Sequence, residues 1–193
     1  MKTTRLEAFS DGVLAIIITI MVLELKVPHA AELGALKPVL PVLLSYVLSF
    51  IYVGIYWNNH HHLFQATEQV SAGILWANLH LLFWLSLFPF TTAWMGENHL
   101  AAIPIAIYGF VLLMAAIAYY LLECIIIARE GRQSLLARAV GKDWKGKLSL
   151  ALYLAAIPLA FVSSRIASAL YAFVALLWLI PDPRIERALK KRQ

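Results

Sequence analysis

The sequence predicts an all-α membrane protein with six transmembrane helices and both termini in the cytoplasm. Of its 193 residues, 62% are hydrophobic and 14% are charged, whereas soluble domains are about half apolar and about a quarter charged. The apolar residues gather in six stretches, and the lysines and arginines favour alternate connections between them. The length suits a single domain covering residues 1–193.

Six apolar segments are candidates to cross the membrane, since a helix needs roughly 20 residues to span the hydrocarbon core. The last two are short and are expected to tilt less or to cover part of the membrane thickness. In chain order, the segments are Leu6–Leu25, Pro38–Leu63, Ala72–Met95, Ala101–Ile127, Leu148–Ser163 and Arg165–Ile180.

The connections alternate between short outer loops and more basic inner segments. The inner ones are the turn Gln65–Ser71 and the longer stretch Arg129–Lys147, whose amphipathic pattern suits a position at the lipid headgroups. Pro181 and Pro183 end the last segment before a basic tail. The predicted outer loops are His29–Lys37, Gly96–Leu100 and Ser163–Arg165.

The distribution of basic residues predicts the orientation of the chain. Thirteen of the sixteen lysines and arginines lie in three places: Lys2 with Arg5, Arg129 to Lys147, and Arg184 to Arg192. Cytoplasmic loops carry such an excess of positive charge, so both termini and the long basic loop are placed in the cytoplasm of a multi-pass cell-membrane protein. The same distribution argues against nucleic acid as a partner.

The first segment differs from the others because it carries charge close to both ends. Only twelve residues separate Asp11 from Glu24, too few for a helix that faces lipid. Ionisable residues within membrane helices normally face the bundle interior or water. We therefore expect the first helix to be central, either packed by protein or lining a water path.

An apolar stripe runs along this first helix. Ile16, Ile20 and Leu23 are spaced by four and three residues, which places them on one face, and Thr19 lies beside them. If copies of the helix surrounded an axis, the stripe would form stacked hydrophobic rings able to gate or filter ions. The same spacing also fits ordinary packing between helices, and the pattern alone favours that interpretation.

Polar residues cluster toward the cytoplasmic ends of the first three segments. Antiparallel neighbours would bring them to one level, where Asp11 can accept hydrogen bonds from other members and be neutralised by an arginine. We favour a network that fastens three helices over a direct ion or proton site. Its predicted members are Arg5, Ser10, Asp11, Trp57, His60 and Asn78.

The other ionisable or reactive residues do not predict a metal site or a catalytic site. The run His60, His61 and His62 does not suit a metal site, because consecutive helical positions point about 100° apart. Glu123, near the inner end of the fourth segment, is expected to snorkel or to pair locally. No nucleophile elbow, phosphate loop or paired-cysteine motif is present, so we predict neither an enzyme nor a cofactor.

Three stretches carry a resemblance to a known family. They are RLEAFSDGVLAIIITIMVLEL, YVLSFIYVGIYWNNHHHLF and ANLHLLFWLSLFPFTTAW. The first resembles the opening helix of the transmembrane protein 175 family of potassium channels, whose hallmark is an arginine followed after three residues by Phe-Ser-Asp. Here those residues are Arg5, Phe9, Ser10 and Asp11.

The resemblance implies a prokaryotic, single-repeat member that assembles as a homotetramer and conducts K⁺ through a pore lined by the first helix. Carried over by position, Ile16 makes the narrowest ring, Ile20 and Leu23 lie above it, and Thr19 is nearby. Glu24 at the outer mouth would concentrate monovalent cations. The polar cluster carries over as a structural network. The chain has no TVGYG motif, which excludes a carbonyl-cage filter.

Two other functions remain open at this stage. The chain could be a proton-coupled or secondary transporter that uses Asp11 and His60 as coupling groups, although its prolines do not fall in matching positions of two halves. It could also be a non-conducting scaffold in which the polar cluster only packs helices. Family members are also linked to proton flux, which the sequence does not exclude.

Overall fold

The structure is a computed structural model that describes residues 3–67, 69–131, 134, 136–137 and 143–179. Within these ranges the main elements are seven α-helices and one 3₁₀ helix. The α-helices are α1 (Thr3–Leu23), α2 (Leu40–Gln65), α3 (Ala72–Ser86), α4 (Phe88–Glu97), α5 (Ala102–Glu130), α6 (Trp144–Leu159) and α7 (Ser164–Leu179), and the 3₁₀ helix is Leu33–Val39.

Among the described residues, four helical stretches are long and apolar enough to cross a membrane: Thr3–Leu23, Leu33–Gln65, Ala72–Glu97 and Ala102–Glu130. The helices α6 and α7 have 16 residues each. At 1.5 Å per residue each is about 24 Å long, somewhat less than the roughly 30 Å of a hydrocarbon core.

The third predicted segment, Ala72–Met95, is interrupted at Leu87. The backbone of Leu87 stays near the right-handed helical region (φ −84°, ψ −8°), and Pro89 occupies the first turn of α4. Proline has no N–H and its ring crowds the preceding turn, so it fits a helix start better than a helix interior. The segment is therefore built as two helices in sequence.

The first outer loop also contains structure that hydropathy did not predict. Leu33–Val39 form a 3₁₀ helix that contains Pro38, and α2 starts only at Leu40, with Pro41 in its first turn. The second helix thus begins two residues later than the predicted Pro38, because Pro38 lies inside the 3₁₀ helix and Pro41 occupies the first turn of α2.

The helices pack around α5, which contacts α3, α4, α6 and α7. Close approach depends on a small residue in α5. A methyl group at Gly109 would collide with the Tyr171 side chain of α7, so the missing side chain at Gly109 makes room for a buried tyrosine. On the other side of the bundle, α1 packs against α2, α3 and α4.

Two predicted cytoplasmic features lie outside the described residues. They are most of the basic segment between Gly131 and Asp143 and the tail from residue 180 onward.

Candidate functional site

The helix α1 has two different faces. Its buried face consists of Leu6, Ser10, Leu14, Ile17 and Met21. These side chains point toward the neighbouring helices of the same chain. The opposite face is open, and packing within one chain covers little of it.

The apolar stripe predicted from the sequence lies on this open face. Ile16 is 58% exposed, Ile20 is 43% exposed and Leu23 is 80% exposed. Thr19 is also exposed, and its hydroxyl donates a hydrogen bond to the carbonyl oxygen of Ile16 at 2.8 Å. The hydroxyl proton of Thr19 is therefore engaged in a hydrogen bond within the helix, while the hydroxyl oxygen can still accept one.

Charged residues share the open side of α1. Arg5 and Asp11 are exposed near its N-terminal end, and Glu24 is exposed just beyond its C-terminal end. Because charged groups are costly to place against lipid, a face with charge at both ends and apolar residues between them is better suited to water or to a neighbouring protein surface.

Three of the predicted network residues form one buried hydrogen-bonded chain. Asn78 Nδ2 donates to Ser10 Oγ at 3.0 Å, and Ser10 Oγ donates to the carbonyl oxygen of Leu6 at 2.9 Å. His60 Nε2 lies 2.7 Å from Asn78 Oδ1. An amide oxygen only accepts, so this geometry requires the His60 tautomer that carries a proton on Nε2. The chain joins α1, α2 and α3.

The other three predicted members lie on the surface of the chain. Trp57 Nε1 donates to Asp11 Oδ1 at 3.0 Å, and both residues are exposed. Among the described residues, Arg5 makes no ion pair with Asp11. The predicted network is thus divided into a buried part, formed by Ser10, His60 and Asn78, and a surface part.

An ion pair lies just beyond the C-terminal end of α1. Lys26 Nζ lies 2.8 Å from Glu97 Oε1. The hydrogen bond to Glu97 and the charge of its carboxylate raise the pKa of Lys26 above its ordinary value. Glu24 lies two residues away and is exposed, so both signs of charge are present at this end.

The three consecutive histidines make different local contacts. His60 contacts Asn78, and His61 Nε2 lies 2.8 Å from Gln65 Nε2. The Nδ1 atom of His62 is buried and has no hydrogen-bond partner in the part of the chain that the structure describes. Across the residues that the structure describes, no group of three or more His, Cys, Asp or Glu side chains is arranged to hold a metal ion.

Sequence reasoning misjudged Glu123. It was expected to snorkel or pair locally, but this residue of α5 is only 7% exposed. Among the described residues its carboxylate makes neither a hydrogen bond nor an ion pair. The available signal was the presence of an acidic residue inside an otherwise apolar segment.

Comparison with known proteins places this arrangement in a family. Residues 5–89 match the family model of the endosomal/lysosomal potassium channel TMEM175. A potassium channel of Chryseobacterium sp. (strain P1-3) is 57% identical over 191 residues, which are 99% of this chain and 100% of that protein. The chain belongs to the TMEM175 family.

Membership in the TMEM175 family is supported by a solved structure and extends to animal proteins. The crystal structure of a lysosomal potassium-selective channel TMEM175 homolog from Chamaesiphon minutus superposes with a TM-score of 0.77 at 28% identity, covering 93% of this chain and 97% of that one. The endosomal/lysosomal proton channel TMEM175 of Gallus gallus is 40% identical over 72 residues, which are 31% of this chain and 14% of that protein.

These matches confirm the predicted resemblance and the predicted all-α membrane architecture. The TMEM175 family is a family of ion channels and not of enzymes. The comparisons leave the position of each predicted pore residue as a prediction.

Proposed function

We propose that this chain is a potassium-favouring cation channel of the cell membrane, with a pore lined by α1 from four copies. Both termini lie in the cytoplasm, and residues 1–193 form a single channel domain. The proposal depends mainly on one observation, which is the open face of α1 where Ile16, Ile20 and Leu23 lie between charged ends.

Assembly follows from how α1 packs. The neighbours α2, α3 and α4 cover only one side of it, and one helix cannot enclose a pore. A closed ring of identical subunits would bring the open faces together around an axis. It would also remove Asp11 and the exposed isoleucines from lipid, where the charge would be unfavourable.

The constriction is assigned to Ile16, with Ile20 and Leu23 as further rings toward the outside and Thr19 beside them. Apolar rings offer no oxygen ligands, so an ion that passes them loses part of its hydration without replacement. Potassium sheds water more readily than sodium, and its passage is penalised less. Selectivity by this mechanism is modest, and Glu24 at the outer mouth raises the local cation concentration.

The buried chain of Ser10, Asn78 and His60 supports the pore without entering it. Ser10 lies on the buried face of α1, opposite the stripe, and is linked through Asn78 to His60. A satisfied polar chain inside an apolar bundle fixes the rotation of the helices it joins. We assign these three residues to orienting α1, and Arg5, Asp11 and Trp57 to the surface where subunits meet.

A liposome flux assay tests the proposed function directly. Purified protein is reconstituted, and the fluxes of K⁺, Na⁺ and Cs⁺ are compared under equal gradients without a proton gradient. We expect K⁺ and Cs⁺ to move faster than Na⁺. Correctly assembled protein that gives no cation flux would support the scaffold alternative, and flux that saturates at low turnover would support a transporter.

A second candidate is proton conduction, which the name of an animal relative suggests. The matching protein of Gallus gallus is named an endosomal/lysosomal proton channel. The same liposomes, loaded with a pH-sensitive dye, measure this activity. After a K⁺ gradient is imposed, acidification as fast as in liposomes treated with a protonophore would establish proton permeability. Acidification no faster than in empty liposomes would remove this candidate.

A further inference from the structure

The chain contains a cavity that lies away from the predicted pore. This partly open cavity of about 300 Å³ is lined within a single chain by α2, α5, α6 and α7, together with Asp143 just before α6. No residue of α1 lines it. Its volume is at the lower end of the range in which proteins bind small organic molecules.

The walls of this cavity are mainly aromatic. Tyr52, Tyr56, Tyr119, Tyr153 and Trp178 all line it. The π faces of tyrosine and tryptophan attract cations, most strongly where water is excluded.

Several of the polar groups on these rings are already used. Tyr52 donates to the carbonyl oxygen of Tyr171 at 2.6 Å, Tyr153 donates to the Tyr52 hydroxyl at 3.2 Å, and Trp178 Nε1 donates to Ser149 Oγ at 2.9 Å. Tyr119 donates to the carbonyl oxygen of Asn59 at 3.2 Å. These bonds hold the rings in place, so the aromatic surfaces rather than these donors are offered to an occupant.

One carboxylate that lines the cavity has no hydrogen-bond or ion-pair partner among the residues that the structure describes. Only 7% of Glu123 is exposed, and no hydrogen bond or ion pair reaches it from the described residues. Burying a carboxylate in this way is unfavourable unless it takes up a proton or a cation or hydrogen-bond donor pairs with it.

The other charged groups near the cavity are engaged or turned outward. Asp143 Oδ1 accepts the backbone N–H of Gly146 at 3.1 Å and so caps α6. Lys145 Nζ lies 3.4 Å from the carbonyl oxygen of Leu177 and 5.9 Å from the centre of the Trp178 ring. Lys147 is exposed. Among the described lining residues, Glu123 is therefore the buried charged group that has neither a hydrogen bond nor an ion pair, and it is the charge that we assign to the cavity interior.

We propose that this cavity binds the ammonium group of an organic amine, with Glu123 accepting a hydrogen bond from the ammonium and the tyrosine rings covering the carbon body. A bare metal cation would require several oxygen ligands, and among the described residues no group of three or more His, Cys, Asp or Glu side chains is arranged to hold one. A neutral apolar occupant would leave the carboxylate unpaired, and an anion would be repelled. The proposal does not depend on the conduction path, because α1 does not line the cavity.

Binding of benzylamine, compared with the neutral benzyl alcohol, tests the proposal. Isothermal titration calorimetry is done on the full-length protein in lipid nanodiscs, with empty nanodiscs subtracted. We expect saturable binding of benzylamine, and binding of benzyl alcohol at least about tenfold weaker, because a charge-assisted hydrogen bond is lost. Glu123→Gln, which keeps the shape of the side chain, should weaken benzylamine binding by about tenfold or more.

Two further variants separate the site from general effects. Ala116 lines the cavity, and Ala116→Leu fills space without changing charge, so it should abolish benzylamine binding in a protein that still folds. Glu97→Gln removes a carboxylate at the other side of the protein and should leave the affinity unchanged. Equal affinity for the amine and the alcohol, or an unchanged affinity in Glu123→Gln, would overturn the proposal.

The source of the ammonium group is resolved by changing the lipid. Nanodiscs of phosphatidylethanolamine present a lipid ammonium, whereas those of phosphatidylglycerol do not. Weaker benzylamine binding in phosphatidylethanolamine would identify a lipid headgroup as a competing ligand of the same site. Equal binding in both lipids would assign the site to soluble amines.

Discussion

Ser10, Asn78 and His60 show at the scale of single residues how polar side chains are accommodated in an apolar bundle. Each is almost completely buried, and each hydrogen-bonds to a neighbour in the chain they form. Asn78 is the central member, because its amide group donates on one side and accepts on the other. Its contribution should therefore exceed that of a polar residue on the surface.

Replacing Asn78 tests this contribution. Asn78→Leu keeps a similar volume but leaves His60 Nε2 buried without an acceptor, and we expect it to lower the free energy of unfolding by about 1 to 3 kcal/mol. Gln65→Ala is the control, because it removes only the exposed contact with His61 and should change stability by less than about 0.5 kcal/mol. Equilibrium unfolding in mixed micelles measures both. Equal effects would contradict a structural role for the buried chain.

The sequence identified the members of this cluster but not their pairing. Residue types and a common membrane depth were enough to select Ser10, Asp11, Trp57, His60 and Asn78. Which of them Asp11 contacts depends on the rotation of α1 and α2 about their axes, which no spacing within one helix specifies. Trp57 reaches it, while His60 turns toward Asn78 instead.

At the scale of helices, hydropathy located the apolar segments well and their internal features poorly. It depends on residues that are adjacent in the chain, so it detects a long apolar run such as α5. The interruption at Leu87 and the 3₁₀ helix before Leu40 depend on single prolines within such runs. The cavity around Glu123 was out of reach, because its aromatic residues come from different helices and no local pattern connects them.

The contact of α5 with α7 gives a prediction at this scale. Gly109→Ala places a methyl group where the buried Tyr171 side chain lies, and this overpacking should cost about 1 to 3 kcal/mol of stability. Gly54→Ala in α2 is the matched control, since a methyl group there meets no atom within 4 Å. It should be neutral or slightly stabilising. Thermal unfolding of the purified variants measures the difference, and a Gly109→Ala protein as stable as Gly54→Ala would show that the α5–α7 contact is looser than described.

For the whole molecule, the open face of α1 predicts the state of assembly. Residues such as Phe9 and Ile16 are exposed in the single chain together with Asp11, and a lipid environment would not suit this mixture. The sequence alone supported four subunits only through the family resemblance, because the geometry of a symmetry axis is not encoded in the pattern of one helix.

Native mass spectrometry of the detergent-solubilised protein tests the assembly. We expect a dominant species with four copies of the 21.6 kDa chain. Asp11→Lys changes the sign of a charge on the open face without altering the buried face of α1, so it should shift the population toward smaller species. A monomer as the main species of the unaltered protein would contradict the proposed pore.

The position of Ile16 on the pore axis is tested most directly by the reversal potential of Ile16→Asn channels in planar bilayers, with K⁺ on one side and Na⁺ on the other. Val22→Asn is the control, because Val22 is 43% exposed but lies about 120° around α1 from Ile16. The account predicts that Ile16→Asn widens and wets the constriction, raises the relative permeability to sodium and moves the reversal potential toward zero, while Val22→Asn leaves it unchanged. A reversal potential that Ile16→Asn does not alter, or that both variants alter equally, would contradict the assignment of Ile16 as the filter.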